Sequence, residues 1–216
     1  MHVWVAPAGD DQRSTAKDLL LELAGALLDG TAELHYEPTG QPCVDGLAVS
    51  ISHSRNLVAV AASAVGPVGV DVEDVYPREV AGLARRWFDP TELEWMVRQP
   101  DELTAFLHLW TAKEAVGKAL GHGLRKAGLR RRMPLPLIPG TVRHTRDNLM
   151  LRAGLVDLVH GDEAGLAVVH LPVDEAVLAV ALPAAATEVV LTVHHEAALR
   201  RTVRSRTSFP VVVRGN

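Results

Sequence analysis

The chain has 216 residues, of which 48% are hydrophobic and 22% charged, an ordinary balance for a globular protein with a sizeable core. Its formal net charge is −4 and only 4% of its residues are aromatic, so a general nucleic-acid binder is not indicated. A single cysteine, Cys43, excludes an internal disulfide framework and a thiolate metal cluster. The N-terminal stretch lacks the pattern of a signal peptide, and no apolar run approaches the length of a membrane span. We therefore expect a cytoplasmic protein that does not enter membranes.

The first part of the chain is predicted to combine short strands with one helix. The helix covers residues 13–28, where apolar side chains form one stripe, and Gly30 is a plausible stop. Turn residues PTGQP at 38–42 and SHSRN at 52–56 interrupt the strand pattern. Strands are predicted over residues 2–6, 33–37, 47–51, 57–63 and 68–73.

Helices are predicted next, over residues 78–88, from Asp89 onward, and over 101–120. Asp89 fits an N-cap, with Pro90 at the first helical position and Glu92 at the third. An irregular, basic stretch is expected at 122–148. The remaining strands are predicted over residues 149–159, 165–171 and 176–182, with one more after 189 and a loose, Arg-rich end.

Strands with helices thus occur twice, once before about residue 98 and once after it, which suggests two halves of similar build. The strands are short and are not separated by regular helices, which favours an α+β fold over a doubly wound parallel sheet. We expect an N-terminal half over residues 1–98, a C-terminal half over 99–193 and an Arg-rich C-terminal tail over 194–216.

Two acids interrupt the apolar strand GVDVE at residues 69–73. Because side chains alternate across a strand, Val70 and Val72 can enter the core together, while Asp71 and Glu73 project from the opposite face. Two carboxylates this close repel each other unless a positive charge lies between them. The pattern fits a solvated strand face or a divalent-metal site with oxygen ligands suited to magnesium.

The long helix contains WTAKEAVGKALG at residues 110–121. Trp110, Glu114 and Lys118 are spaced four residues apart and therefore line one helix face. A Glu–Lys pair at this spacing is also a common surface pair, and a tryptophan is often a core residue. However, two of the chain's four lysines, Lys113 and Lys118, fall in this segment, and lysine is well suited to binding phosphate.

A buried strand is predicted to end at Ser52, His53 and Ser54. Hydroxyls and an imidazole at such a corner can hold a phosphate or can cap a turn. The stretch alone leaves both interpretations open.

Together these segments resemble the signatures of the 4′-phosphopantetheinyl transferases, in particular the larger, two-half class typified by the surfactin-synthetase activator. GVDVE at 69–73 resembles the family's G-[IV]-D-[IV]-E, Phe88 to Glu92 its F-x-x-x-E, and residues 110–118 its W-x-x-K-E-[AS]-x-x-K. The stretch SISHS resembles a third landmark. TGQP at 39–42 is similar to a G-K-P turn, and Arg13-Ser14 is similar to an early R-[ST] on the first helix. The resemblance covers most of the chain, from about residue 11 to about residue 193.

The resemblance implies transfer of the phosphopantetheine arm of coenzyme A to a serine of an apo acyl or peptidyl carrier protein, with release of 3′,5′-ADP. It implies a monomer in which two pseudo-symmetric halves, each a small antiparallel sheet with packed helices, form the site at their interface. By similarity, Asp71, Glu73 and Glu114 hold Mg²⁺, and Mn²⁺ has overlapping ligand preferences. The catalytic residues implied are Asp71, Lys118 and Glu114, the last taking the proton of the carrier serine. Binding of coenzyme A is implied for Arg13, Ser14, Gly40, Gln41, Pro42, Ser52, His53 and Lys118.

Some residues depart from the family pattern or have a second interpretation. Gln41 stands where the turn usually has Lys, and the chain begins later than typical members. We therefore expect weaker binding of coenzyme A unless Arg13 and the arginines at 130–132 supply the missing charge, and those arginines could also steer an acidic carrier protein. Glu92 belongs to a family motif, but we expect it to act as the third residue of a capping box.

Polyketide, fatty-acid and nonribosomal peptide synthesis all use such carrier proteins, and the WxxKEA pattern favours polyketide or fatty-acid pathways. Two other functions fit the same residues. Three acids and a lysine also suit another Mg²⁺-dependent phosphoryl or nucleotidyl transferase, or a nuclease. A non-catalytic module that only docks a carrier protein is the third possibility, although it has no need of the charge cluster.

Overall fold

The computed structural model describes residues 1–121, 128–136, 155–158, 165–196 and 202–213. It has a mixed α+β fold with two five-stranded sheets and a small two-stranded one, which confirms the predicted class. Most of the irregular, basic stretch predicted at 122–148, and the first part of the strand predicted at 149–159, lie outside the described residues. Within the described ranges, no helix is long and apolar enough to cross a membrane.

The observed elements agree with most of the predicted ones. The helices are α1 (Gln12–Leu28), α2 (Ala81–Trp87), α3 (Pro90–Val97) and α4 (Glu102–Ala119). The strands are β1 (His2–Pro7), β2 (His35–Tyr36), β3 (Pro42–Cys43), β4 (Ala48–His53), β5 (Leu57–Ser63), β6 (Gly69–Asp74), β7 (Leu155–Leu158), β8 (Leu166–Val173), β9 (Ala176–Pro183), β10 (Glu188–His194), β11 (Val203–Pro210) and β12 (Val212–Val213). Asp11 and Asp101 accept hydrogen bonds from the first backbone N–H groups of α1 and α4, so each acts as an N-cap.

The order of elements recurs along the chain. β1 is followed by α1 and the β4–β5 hairpin, and it pairs antiparallel with β5. β6 is followed by α2–α4 and later by the β8–β9 hairpin, and it pairs antiparallel with β9. The predicted division at residue 98 stays a prediction, but the sheets do not divide there, because β6 pairs with a strand that follows that residue.

The two large sheets lie face to face between layers of helix. The first has the strand order β11-β10-β1-β5-β4 and the second the order β12-β7-β8-β9-β6. Buried valines, leucines and alanines from both sheets form one core between them. The opposite face of the first sheet packs against α1, and the opposite face of the second packs against α2–α4.

Two expectations about the strands were wrong. The large sheets are not wholly antiparallel, because β10 lies parallel to β1 and β12 lies parallel to β7. The first parallel pair arises because the chain returns to the first sheet after β9, where β10 joins the free edge of β1. The Arg-rich end is not loose over residues 203–210, since β11 pairs with β10 along its whole length.

Serine hydroxyls connect the edge strands of the two sheets. Ser50 of β4 is 3% exposed, and its Oγ accepts a hydrogen bond from the backbone N–H of Val70 on β6, at 3.0 Å. Ser52 accepts likewise from Val72 at 3.3 Å, and Ser54 donates to the buried carboxylate of Asp74 at 2.9 Å. Because the three serines alternate along the chain, they project to one side of β4 and of the residue that follows it. In this serine row, Ser50 and Ser52 accept hydrogen bonds from two N–H groups on the edge of β6 that β9 leaves unpaired.

We expect Ser50→Ala to lower the free energy of unfolding by about 2 kcal/mol, because the buried N–H of Val70 would lose its acceptor. Urea unfolding followed by circular dichroism measures the change. Ser205→Ala, at an exposed position on β11, is the matched control and should change stability by less than about 0.5 kcal/mol. Equal stability of the two variants would show that the serine row does not hold the sheets together.

Candidate active site

The two strand acids lie on the edge strand β6, as the alternating pattern predicts. Val70 and Val72 are buried in the core between the sheets. Asp71 is 5% exposed and Glu73 is half-buried, on the opposite face of the strand, where α4 crosses it. The carboxylate of Asp74 accepts hydrogen bonds from Ser54 Oγ and from the backbone N–H of Asn56, so it stabilises the turn after β4.

A glycine fixes how closely α4 approaches β6. A Cβ atom on Gly69 would lie 1.8 Å from the carbonyl oxygen of Ala115 and 2.7 Å from the backbone nitrogen of Ala119. No side chain fits in that space, so Gly69 allows the two backbones to touch. Ala115 and Ala119 directly follow Glu114 and Lys118, so the contact brings both of these side chains beside the strand acids.

Asp71 has one oxygen bound and one without a partner. Its Oδ1 accepts hydrogen bonds from Lys118 Nζ at 2.7 Å and from Ser52 Oγ at 2.8 Å. Its Oδ2 is buried and has no hydrogen-bond partner among the residues that the structure describes. Lys118 Nζ also donates to the backbone carbonyl of Val70 at 3.0 Å. The lysine predicted to bind phosphate is therefore paired with an acid in this structure.

Glu73 has its own cation. Its Oε2 accepts a hydrogen bond from Arg78 Nη2 at 2.9 Å, and about a quarter of each side chain is exposed. Burial raises the pKa of Glu73, and the charges of Asp71 and Asp74 raise it further, although Arg78 opposes both effects.

Glu114 on α4 is the third acid of the group. Burial raises its pKa to about 7, and the negative charges of Asp71 and Glu73 add to the shift, while Lys118 opposes it. The three carboxylates are thus close enough to influence each other. Over the described ranges, however, no three acidic, histidine or cysteine side chains converge into a group that could hold a metal ion as they stand.

The residues predicted to bind phosphate fall on two faces of β4. Ser52 faces β6 and Asp71, whereas His53 is exposed and, by strand alternation, lies on the side of the sheet that packs against α1. Arg13 and Ser14 are exposed in the first turn of α1. That turn lies next to the one after β4, since Gln12 Nε2 donates to the carbonyl of Arg55 at 3.2 Å.

The TGQP turn contacts the end of the long helix. Gly40 has a φ of +87°, which favours glycine, and Pro42 begins β3. Gln41 lies against Gly121, where an added Cβ would be 2.5 Å from its Oε1. The structure therefore places Gln41 at the C-terminal end of α4, about one turn beyond Lys118.

Comparison with known proteins finds similarity to one superfamily. Residues 67–169, just under half of the chain, match the 4′-phosphopantetheinyl transferase superfamily. The chain is 34% identical over 128 residues to the 4′-phosphopantetheinyl transferase HetI of Nostoc sp. strain PCC 7120, covering 53% of this chain and 54% of the relative. Over this segment the chain is similar to the 4′-phosphopantetheinyl transferase superfamily.

Two further relatives agree with this result. A 4′-phosphopantetheinyl transferase of Bacillus subtilis is 32% identical over 124 residues, covering 53% of this chain and 54% of the relative. The 4′-phosphopantetheinyl transferase Sfp of Bacillus subtilis strain 168 is 37% identical over 90 residues, covering 39% of each protein. The matches span about half the length of these relatives or less. The superfamily segment contains β6 and α4, and therefore all three acids.

Lys113, the other lysine of this helix segment, lies in a buried ion pair. It is 1% exposed, and its Nζ donates to Glu92 Oε1 at 2.8 Å, with neither side chain exposed to solvent. Glu92 also completes the predicted capping box with Asp89 and accepts from the backbone N–H of Met133 at 2.8 Å. Burial lowers the pKa of Lys113, while Glu92 raises it. This pair joins α3, α4 and the segment around Met133.

Sequence reasoning also missed Arg78. Its position five residues after Glu73 was the one hint in the sequence that the two could pair. A strand pattern, however, does not show whether the loop that follows the strand folds back onto it. The guanidinium lies 4.7 Å from the ring centroid of Tyr76, and that of Arg55 lies 4.9 Å from the same ring. Arg78, Arg55 and Tyr76 thus form one cluster, which Arg78 joins to Glu73.

Replacing Lys113 by Met should lower the free energy of unfolding by about 3 kcal/mol, because the Glu92 carboxylate would stay buried without its cation. The double variant Lys113→Met/Glu92→Gln should recover part of that loss. The same substitution at the exposed Lys17 of α1 is the control, with an expected change below about 0.5 kcal/mol. Urea unfolding measures all three, and a Lys113→Met protein as stable as the control would contradict the paired interpretation.

The pKa of Glu114 predicts a pH dependence of stability. Because its folded-state pKa of about 7 lies above the ordinary value of 4.5, the folded protein binds more protons between these values. Protonation of Glu114 therefore contributes fully to the free energy of unfolding below pH 4.5, and this contribution is lost as the pH rises through about 7.

Glu114→Gln should not show this loss of stability, because glutamine does not titrate. The free energy of unfolding of the variant minus that of the unmutated chain should therefore rise by about 2 kcal/mol between pH 4.5 and about 7. This rise is smaller than the pKa shift alone would give, because solvent screens a half-buried group. Urea unfolding in the presence of a chelator, at pH 4.5 to 8, checks this. Glu102→Gln, at the exposed start of the same helix, should show no such rise. A flat difference for Glu114→Gln would refute the assignment.

Proposed function

We propose that this protein transfers the 4′-phosphopantetheine group of coenzyme A to a serine of an apo acyl or peptidyl carrier protein, releasing 3′,5′-ADP. The observation that carries the proposal is the meeting of Asp71 and Glu73 on β6 with Glu114 and Lys118 on α4, inside the superfamily segment. The names of the relatives support the same reaction.

The site's chemistry fits a hard divalent cation. Asp71 Oδ2 is a buried carboxylate oxygen without a hydrogen-bond partner within the described ranges, and the donor set of three carboxylates is the kind that Mg²⁺ prefers. Asp71, Glu73 and Glu114 would hold the ion, Mg²⁺ or Mn²⁺. When bound, the ion supplies positive charge that polarises the pyrophosphate of coenzyme A.

The chain's own residues supply the remaining steps. Glu114 takes the proton from the carrier serine hydroxyl. The serine oxygen forms the new bond to phosphorus, and the bond to 3′,5′-ADP breaks. Lys118 offsets the negative charge that develops on the phosphate oxygens. Arg13, Ser14, Gly40, Gln41, Pro42, Ser52 and His53 remain the proposed contacts to coenzyme A.

The proposed architecture is two pseudo-symmetric halves with the site between them. Supporting it, the order strand, helix, hairpin starts at β1 and again at β6, and the acids lie where β4 of one sheet meets β6 of the other. The similarity to Sfp supports the larger, two-half class. We further propose a cytoplasmic monomer whose partners are carrier protein and coenzyme A, with neither nucleic acid nor membrane among them.

A direct test is to incubate the full chain with coenzyme A, Mg²⁺ and an apo carrier protein, and to measure the carrier's mass. We expect a gain of one phosphopantetheine group on a serine. A gain corresponding to a nucleotide would favour another transferase, and binding without a mass gain would favour a docking module.

Asp71→Asn and Glu114→Gln should each lower kcat/KM by at least about a thousandfold, because they remove a charged group that acts on the reacting phosphate or serine. Both keep the size of the side chain. Glu102→Gln, on the same helix as Glu114, is the control and should retain activity. Normal transfer by either site variant would refute the assigned roles.

A further inference from the structure

Each strand acid already has a protein cation. Lys118 Nζ lies 2.7 Å from Asp71 Oδ1, and Arg78 Nη2 lies 2.9 Å from Glu73 Oε2. Glu114 has no ion-pair partner among the described residues. Three acids thus share two protein cations, which leaves the group short of positive charge.

Arg78 and Lys118 differ in how they are held. Lys118 comes from the rigid helix α4 and has a second anchor on the carbonyl of Val70. Arg78 comes from the loop between β6 and α2, and its other contacts are to Tyr76, whose hydroxyl accepts a hydrogen bond from Nη1 at 3.0 Å. Arg78 can therefore release Glu73 without disturbing a helix or a strand.

A divalent cation and Arg78 compete for the same carboxylate. Glu73 Oε2 accepts a hydrogen bond from the guanidinium, and a metal bound to Glu73 would place like charges side by side. The metal can bind with full strength only when the ion pair opens. After release, the stack on Tyr76 keeps the guanidinium near the site, and its planar fork matches the oxygens of a phosphate.

We propose that Arg78 is a stand-in cation. It neutralises Glu73 in the metal-free protein, is displaced when the divalent ion binds, and then donates hydrogen bonds to a phosphate of coenzyme A. The inference rests on the proposed function. It makes Arg78 a substrate-binding residue of this chain, and it couples occupation of the metal site to recognition of the co-substrate.

The first measurement is binding of Mn²⁺ to the full chain without coenzyme A, from the paramagnetic resonance signal of the free ion. Arg78→Gln should bind Mn²⁺ about fivefold more tightly, because the ion no longer competes with a partly buried ion pair. If the Arg78–Glu73 pair is purely structural, Arg78→Gln should bind Mn²⁺ more weakly, since loss of the pair would disorder the acids.

The second measurement is calorimetric binding of coenzyme A at saturating Mn²⁺. Here Arg78→Gln should bind about tenfold more weakly, because a charge-assisted hydrogen bond to phosphate is lost. Arg78→Lys, which keeps the charge but not the fork, should fall between the two proteins. It also serves as the test variant if Arg78→Gln does not fold, with changes of the same signs expected.

Two controls separate the ion pair from net charge. Arg86→Gln removes a guanidinium that stacks on Trp87 at 5.0 Å, and Arg55→Gln removes the other arginine on the Tyr76 ring. Neither pairs with Glu73 in the structure, so Mn²⁺ affinity should change by less than about twofold. A gain in Mn²⁺ affinity for Arg55→Gln as large as that for Arg78→Gln would overturn the inference.

The carrier-mass assay on the same preparations distinguishes the two possible failures. If the unmutated chain modifies the carrier but folded Arg78→Gln binds Mn²⁺ equally or more weakly, the stand-in role is wrong and the transferase assignment stands. If the unmutated chain neither binds Mn²⁺ nor modifies the carrier, both are wrong.

Discussion

The site depends on the serine row that joins the edge strands of the two sheets. An edge strand exposes unpaired backbone groups, and β6 would expose them next to its own acids. Ser50 and Ser52 cover these groups with hydroxyls, and Ser52 uses the same hydroxyl to donate to Asp71. A hydroxyl can both accept and donate, so one small side chain satisfies the strand edge and orients a carboxylate. The position of the acids is therefore set by how the sheets meet, rather than by the local conformation of β6 alone.

Electrostatics then determines the state of the group. Three carboxylates lie within reach of one another at a half-buried position, and only two protein cations pair with them among the described residues. The shortage shows in Glu114, whose pKa is raised to about 7 by burial and by its acidic neighbours. Such a group gains stability from any added positive charge, which is why a divalent ion suits it. The fully buried Lys113–Glu92 pair shows the contrast, since its charges are matched and hydrogen-bonded.

The sequence predicted most elements and the acids of the site, because these follow from local patterns. Alternation in GVDVE separates Val70 and Val72 from Asp71 and Glu73, and the four-residue spacing on α4 aligns Glu114 with Lys118. It could not predict that β6 leaves the strands before it to pair with β9, or that β11 is ordered, because strand partners are set by long-range packing. It also could not predict the ion pairs of Lys113 and Arg78. The first joins two different helices, and the second depends on the path of the loop after β6.

The return of the chain to its first sheet has a consequence for biosynthesis. β1 lies in the middle of that sheet, yet its neighbour β10 is made almost 190 residues later. While the chain is on the ribosome, β1 therefore presents an open edge until β10 has emerged. Contacts between such distant residues form slowly, and an open edge in the interval invites pairing with other chains. We therefore expect chaperones that shield this edge to assist folding of the nascent protein. Fragments that end before β10 should aggregate during expression, because their β1 edge stays open.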